Sequence, residues 1–502
     1  MLIPDWLHRQ AQQFPDHTAL EDLHSGRTFS YLELDRRASR CAHFFRDRWR
    51  LRPGDRVALL AHNSAEYVEI LYGCAKAGLI LVGLNWRLSL DELKAIVDDA
   101  KPAALVYGLE FTAGGEALVA AFGLERGLAL ADGYEAALAE ASGERIRMGW
   151  RGHDDPWYLL YTAGTTGKAK GVVQTFGMCF TNCVNILLHA GIRRDDVLLA
   201  VLPFFHTGGL NLYMNPMLMT GGTTVIMRQF DVDRTLELLG SRITVMFGVP
   251  AIYLFLSQHP KFAATDFSRV RSWGAGGAPM PRAVLDAYFA KGVTICFGFG
   301  MTESSPTVFL TDEDTARKKI GTVGLPVMYM EAKVVDPATR ATLGTGQRGE
   351  MLLRGPGITP GYWNNPEATA TSFEDGWLCT GDVAYVDEDG CFYIVDRTKD
   401  MYISGGENVY PAEVENVLYQ LECVAETAVI GVPDDRWGEV GKAILALKPG
   451  AELTAEAAIA HCRAHLAAFK APRHVVFVPA LPRNALGKVD KAGLRREFGG
   501  QA

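Results

Sequence analysis

Long apolar runs are missing. Stretches such as Val57 to Leu60 and Leu79 to Leu84 fall far short of the ~20 residues that a membrane-spanning helix needs. A basic start followed by an apolar stretch is also missing from MLIPDWLHRQAQQFPDHTAL, so no secretory signal is expected. The nine cysteines form no CxxC pair and sit mostly among apolar neighbours, the pattern of buried, reduced thiols in a cytoplasmic protein. Positive charge is not in excess. With 50 Lys+Arg against 58 Asp+Glu and a net charge of −8, the broad attraction that nucleic acids or acidic membrane surfaces require is absent. A locally basic pocket for a phosphorylated small molecule survives that test.

What is present suits a large globular chain. At 502 residues two or three domains are expected, and 48% hydrophobic with 22% charged residues carries no disordered bias. Gly 52 and Pro 23 are near ordinary usage, so the positions of the glycines matter more than their number. RVALLA, AEYVEILYGCAKAG and LILVGLN give a strand, helix, strand rhythm. It recurs at Val197 to Leu202, Thr223 to Met227, Val245 to Val249 and Val293 to Phe297, with helices at Val232 to Leu239 and Ala251 to Gln258. After about Ile320 short strands joined by Asp/Gly turns suggest an antiparallel, barrel-like part. Beyond Asp400, PAEVENVLYQL, TAVIGVP, KAILAL, a helix from Thr454 to Phe469 and HVVFVPAL suffice for a small α+β domain. The fold class is therefore α/β, with a large body of residues 1–396, a junction at 397–400 and a small mobile α+β domain at 401–502.

WYLLYTAGTTGKAKGVV places a glycine-rich loop after an apolar strand. Backbone N–H groups, the hydroxyls of Thr162, Thr165 and Thr166, and the ammonium groups of Lys168 and Lys170 are what a triphosphate asks for. Gly164 and Gly167 enclose two residues and Ala169 follows Lys168, so this is not a Walker loop. Glu303 stands where GFGMTE would need its last glycine for a dinucleotide fingerprint. His461 and His465 have HxxxH spacing but lack the Glu of a zinc helix, and read as a solvated helix face.

Seven motifs in order, YTAGTTGKAKG (161–171), PFFHTGG (203–209), GAGGAPMP (274–281), GFGMTE (298–303), TGD (380–382), DRTKDMYISGGENVYPAEVE (396–415) and PRNALGK (482–488), resemble the adenylate-forming superfamily, and most closely its fatty-acyl and aryl CoA ligases. The resemblance implies two half-reactions. A carboxylate attacks the α-phosphate of ATP to give an acyl-adenylate and pyrophosphate, and the thiol of CoA then displaces AMP.

It also implies roles, each carried on a matching position. Lys488 would contact the carboxylate and α-phosphate, Thr302 would reach the α-phosphate, and His206 would stand at the entry of the acyl pocket. Thr162 and Glu303 would hold Mg²⁺, a hydroxyl and a carboxylate oxygen being suitable ligands. Nucleotide contacts fall to the loop Thr162, Ala163, Gly164, Thr165, Thr166, Gly167 and Lys168. Gly276, Gly277, Ala278, Pro279, Gly298, Phe299, Gly300 and Met301 would wall the adenine, Asp382 would accept the ribose hydroxyls, and Arg397 would add positive charge. The small domain would turn about Lys399, bringing Ser404, Gly405, Gly406 and Glu407 to the thiol arm. Gly208, Gly209, Leu212, Gly277, Gly300, Pro306 and Thr307 would line the acyl pocket, which are small or apolar and fit an uncharged fatty or aromatic acyl group. Phe205 and His206 occupy the place of the aspartate that pairs an α-amino group in peptide synthetases, which disfavours amino acids.

Two departures from the family loop are Ala163 for serine and Ala169 for proline; a lost hydroxyl costs about 1 kcal/mol, the scale of one hydrogen bond. Rival readings are an enzyme loading a carrier protein in trans, a catalytically silent nucleotide or acyl-binding homologue, and a luciferase-type oxygenase. An appended carrier domain is not expected, and a carrier in trans stays open. Expected partners are the acid, ATP and CoA, with no nucleic acid and no membrane span; oligomeric state is open, a homodimer included.

Overall fold

The computed structural model describes residues 1–163, 169–397, 400–404, 407–434, 436–483 and 488–500, without the side chains of Asp132, Ala163, Arg397 and Asn408. The glycine loop residues Gly164, Thr165, Thr166, Gly167 and Lys168, the pivot Lys399, and Gly405 and Gly406 lie outside the described residues.

Two large, mainly parallel sheets dominate the body. One has six strands in the order 169–175, 156–163, 80–83, 56–60, 104–107, 127–129. All its pairings are parallel except that of Ala169–Thr175 with Pro156–Ala163. The other has eight strands in the order 309–310, 296–299, 272–276, 245–248, 197–200, 223–226, 18–22, 27–30, antiparallel only at its two edges. The strand expected from Val293 begins instead at Cys296, because Val293 N–H is engaged with Tyr288 O at the end of the preceding helix. The helix Ala65–Ala77 is buried along nearly all its length. It starts on Ser64, whose side chain accepts from Tyr67 N–H, and ends at left-handed Gly78, the usual punctuation of a helix.

The antiparallel part is a five-stranded sheet of Glu331–Val335, Gly349–Arg354, Trp377–Val386, Phe373–Glu374 and Phe392–Arg397. The C-terminal part has its own five strands, in which Val424–Asp434 and Gly438–Leu447 form a long antiparallel pair and His474–Phe477 joins in parallel. Helices Pro411–Leu418 and Ala455–His465 pack with them. Its apolar clusters draw only on residues from Tyr402 onward, whereas the other clusters stop at Ile394. Burial is therefore satisfied separately on the two sides of 397–400. No helix among the described residues is long and apolar enough to cross a membrane.

Candidate active site

Several motifs begin at the ends of strands that pair in parallel. Strand Ser272–Gly276 runs into Gly277, Ala278 and Pro279, which are exposed, and strand Cys296–Phe299 runs into Gly300 and Met301. Strand Pro156–Ala163 leads into the glycine loop, and Val197–Ala200 leads towards His206. Ligands of open α/β sheets bind outside the carboxyl ends of strands. Gly276 and Gly298 face each other in register, and a Cβ on Gly276 would come within 2.8 Å of Gly298 O. A Cβ on Gly300 would overlap the Pro306 carbonyl. Part of the glycine content is thus demanded by backbone packing within the protein, besides any ligand. Phe299 is half-buried, and its ring meets Phe309 edge-on at 6.1 Å.

Thr302 and Glu303 form a short buried turn, Thr302–Ser304. It is gripped from three directions. Gln174 Nε2 donates to Thr302 O at 2.7 Å, Thr359 N–H donates to Glu303 O at 2.8 Å, and Tyr362 Oη donates to Glu303 Oε1 at 2.9 Å. Burial, reinforced by the Glu303 carboxylate, raises the Tyr362 phenol far above its ordinary range, so it remains a donor. Lys170 lies 4.9 Å from the Tyr362 ring centre, a cation–π contact, and pairs in register with Thr162. The strand Ala169–Thr175, which sequence reading did not mark, therefore links the glycine loop to the Glu303 turn.

His206 follows a segment bracketed by Asn63, which donates from Nδ2 to Leu202 O and accepts Phe204 N–H on Oδ1, each at 2.8 Å. His206 N–H bonds Pro203 O at 3.1 Å. Its Nε2 is buried without a hydrogen-bond partner among the described residues. Burial, with the charges of Lys488 and Arg87, lowers its pKa to about 4, so the ring is neutral near pH 7 and offers one N–H. A buried ring nitrogen without a partner, donor or acceptor according to the tautomer, costs free energy until a ligand takes it. Arg87 itself stacks 4.8 Å from the Trp86 ring and 5.9 Å from that of Phe205. After His206 the wide turn Gly208–Leu212 and the buried Pro306 and Thr307 follow, so the positions expected for the acyl pocket flank the same histidine and glutamate segments.

Asp382 is buried and stands directly opposite Arg397 across an antiparallel pair. Its N–H is tied to Thr380 Oγ1 at 3.0 Å. Lys488 is exposed and sits in a loop closed by the bridge between Arg483 and Val489. The C-terminal part rests on the body through Arg348 Nη2 to Glu413 Oε1 at 2.6 Å, Ala412 N–H to Asp396 Oδ2 at 2.9 Å, and Arg348 over the Tyr410 ring at 5.3 Å. Ser404 is buried there, opposite Glu407.

Two other constellations carry no metal chemistry. Asp5, His8 and Asp35 are close enough to share an ion, but Lys76 Nζ lies 2.8 Å from Asp5 and 2.7 Å from Asp35, and Arg145 Nη2 lies 2.6 Å from Asp35. Internal cations already fill that role. His461 and His465 turn to the carbonyls of Val417 and His461, in keeping with a structural helix face.

Tyr362, Gln174 and Arg87 escaped sequence reading. The Gly361-Tyr362 pair offers a weak signal at most, since its contact with Glu303 spans separate parts of the chain.

Residues 7–363 match the family described as AMP-binding enzyme, and residues 413–488 match the AMP-binding enzyme C-terminal domain. Feruloyl-CoA synthase of Amycolatopsis sp is 39% identical over 98% of both chains. Long-chain-fatty-acid–CoA ligase FadD13 of Mycobacterium tuberculosis is 35% identical, also over 98% of both. Among solved structures, ATP-bound MatB from Rhodopseudomonas palustris superposes with a TM-score of 0.92 at 33% identity over 99% of both chains. The chain belongs to the AMP-binding enzymes of the adenylate-forming superfamily and is an AMP-forming acyl-CoA ligase.

Proposed function

We propose that this ligase activates a carboxylic acid whose acyl group carries no further charge, aromatic or of medium to long aliphatic chain, and transfers that acyl group to CoA. The observation that carries this is half-buried His206 at the head of the acyl segment, whose Nε2 is enclosed without a hydrogen-bond partner among the described residues. Two anions meet in adenylation, and placed cations and donors stabilise the charge that develops. Lys488 supplies the positive charge at the carboxylate and α-phosphate, neutral His206 donates Nε2–H to the carboxylate, and Thr302 donates to the α-phosphate. Asp382 accepts the ribose hydroxyls, with Arg397 beside it.

Thr162 and Glu303 would hold Mg²⁺; a hydroxyl with a carboxylate is a hard donor set that fits this ion. When bound, the ion screens the phosphate charge. Tyr362 orients the Glu303 carboxylate, and the segment from Ala163 to Lys168 is assigned to the phosphates from its sequence. For the second half-reaction we place the body at 1–396, the junction at 397–400 with its pivot at Lys399, and the lid at 401–502. The separate apolar clusters on the two sides support that division. Rotation of the lid withdraws Lys488 and brings Ser404, Gly405 and Gly406 to the thiol arm.

An aromatic acid stands first among the acids, because the relative at 39% identity bears the name of a feruloyl-CoA synthase. The small residues Gly208, Gly209 and Gly300 are compatible with a flat ring. Pyrophosphate release and thioester formation, measured with ATP, Mg²⁺ and CoA across hydroxycinnamic, benzoic and fatty acids, test the reading. Turnover confined to α-amino acids or to none would overturn it; pyrophosphate without a CoA thioester would indicate a carrier protein as acceptor.

A further inference from the structure

Behind the acyl segment lies a buried polar junction that no motif announces. Asn211, in the turn Gly208–Leu212, is fully buried. Its Oδ1 accepts from Tyr158 Oη at 2.6 Å and from Asn215 Nδ2 at 2.9 Å, while its Nδ2 donates to Ser305 Oγ at 3.1 Å and lies 3.4 Å from Thr207 Oγ1. Its carbonyl accepts from Asn182 Nδ2, and Asn182 Oδ1 accepts Thr307 N–H at 3.3 Å.

Each partner belongs to a different part of the site. Tyr158 lies on the strand that feeds the glycine loop. Ser305 and Thr307 continue the turn that carries Thr302 and Glu303. Asn211 itself rides on the segment headed by His206, whose carbonyl accepts Gly209 N–H and Leu210 N–H. A saturated buried network of this kind fixes the relative placement of the elements it joins.

Resting on the ligase reading above, we infer that Asn211 is a positioning residue that sets the distance between the acyl carboxylate held at His206 and the nucleotide held at Thr302 and Glu303. Adenylation requires two separate molecules to meet in line, and a misplacement near 1 Å costs on the order of a hundredfold. In the acyl-adenylate the two halves are one covalent molecule, so the second half-reaction does not depend on the same spacing. The expected effect is therefore confined to one half of the catalytic cycle.

The test compares the full-length enzyme with Asn211→Ala and Ser305→Ala, using the best acid from the panel. Acid-dependent pyrophosphate release should fall in kcat by roughly 10- to 100-fold in Asn211→Ala and about 3- to 10-fold in Ser305→Ala. KM for ATP and thioester formation from supplied acyl-adenylate and CoA should stay within about threefold. Equal loss in both half-reactions, or unaltered adenylation, overturns the inference, and Ser305→Ala decides alone if Asn211→Ala does not fold. An inactive unmodified enzyme would instead overturn the ligase reading and the inference with it.

Discussion

The charge of Lys488 bears on the imidazole of His206 and helps hold it deprotonated to about pH 4. Burial is the larger cause, and Arg87 adds to it. Replacing Lys488 by Ala should therefore raise the His206 midpoint while leaving it below the ordinary value of about 6.5. NMR titration of the His206 ring in the two proteins checks this, and an unchanged midpoint would overturn the electrostatic coupling.

Lys488→Ala should also separate the two half-reactions. Loss of a group that meets developing charge costs on the order of 10² to 10³ in rate, so acid-dependent pyrophosphate release should drop by at least that factor. Thioester formation from supplied acyl-adenylate should persist. A matched decline in both would remove Lys488 from the adenylation step.

Acid stability has a definite sign. The folded pKa of His206, like that of His62, is lowered to about 4, whereas the unfolded chain takes up these protons near pH 6.5. Both groups are neutral in either state above about pH 6.5 and add no pH dependence there. Between about 6.5 and 4 the unfolded state binds more protons, so each group lowers stability as pH falls through that window. His206→Gln should show a shallower loss of urea midpoint from pH 7 to pH 4.5 than the parent protein.

The phenol of Tyr362 touches Glu303 at 2.9 Å. Groups that orient a metal-binding side chain are typically worth 10- to 100-fold in affinity. Tyr362→Phe should accordingly raise the Mg²⁺ concentration for half-maximal pyrophosphate release by about tenfold, with the thermal midpoint nearly unaltered. The same Mg²⁺ requirement in both proteins would rule out an orienting role.

Two glycines of neighbouring motifs should respond differently to a methyl group. At Gly300 it would collide with the Pro306 carbonyl, so Gly300→Ala must move backbone next to Glu303 and should abolish adenylation. At Gly277 a Cβ would meet only Val249 Cγ1, at an ordinary 3.8 Å, and φ is +85°, so the cost is the left-handed conformation, about 1 kcal/mol. Thermal denaturation and pyrophosphate release of the two variants distinguish these outcomes.

The parallel strands were legible because short apolar runs follow glycine or proline: Val57 to Leu60 comes after Pro53-Gly54 and Thr223 to Ile226 after Gly221-Gly222, and both appear nearly where the pattern puts them. Strand Ala169–Thr175 was not, since it begins Ala-Lys-Gly and reads as more of the loop. The motif residues could be named from their order along the chain, but their supports could not. Asn182 and Asn211 are polar residues in helical or turn segments, which periodicity assigns to solvent, and the structure buries both. Only three-dimensional closure supplies their partners, because Tyr158, Ser305 and Thr307 come from other segments.

Asp382 and Arg397 face each other on neighbouring strands, and Lys399 follows only two residues later. On the proposed roles, the strand that would help grip the sugar is also the stem from which the small domain would swing. A nucleotide seated between them would splint that stem, and its departure as AMP would loosen it. On that proposal product release and the return swing would share a mechanical linkage, and one strand pair rather than a relay between distant sites would set the timing of the cycle.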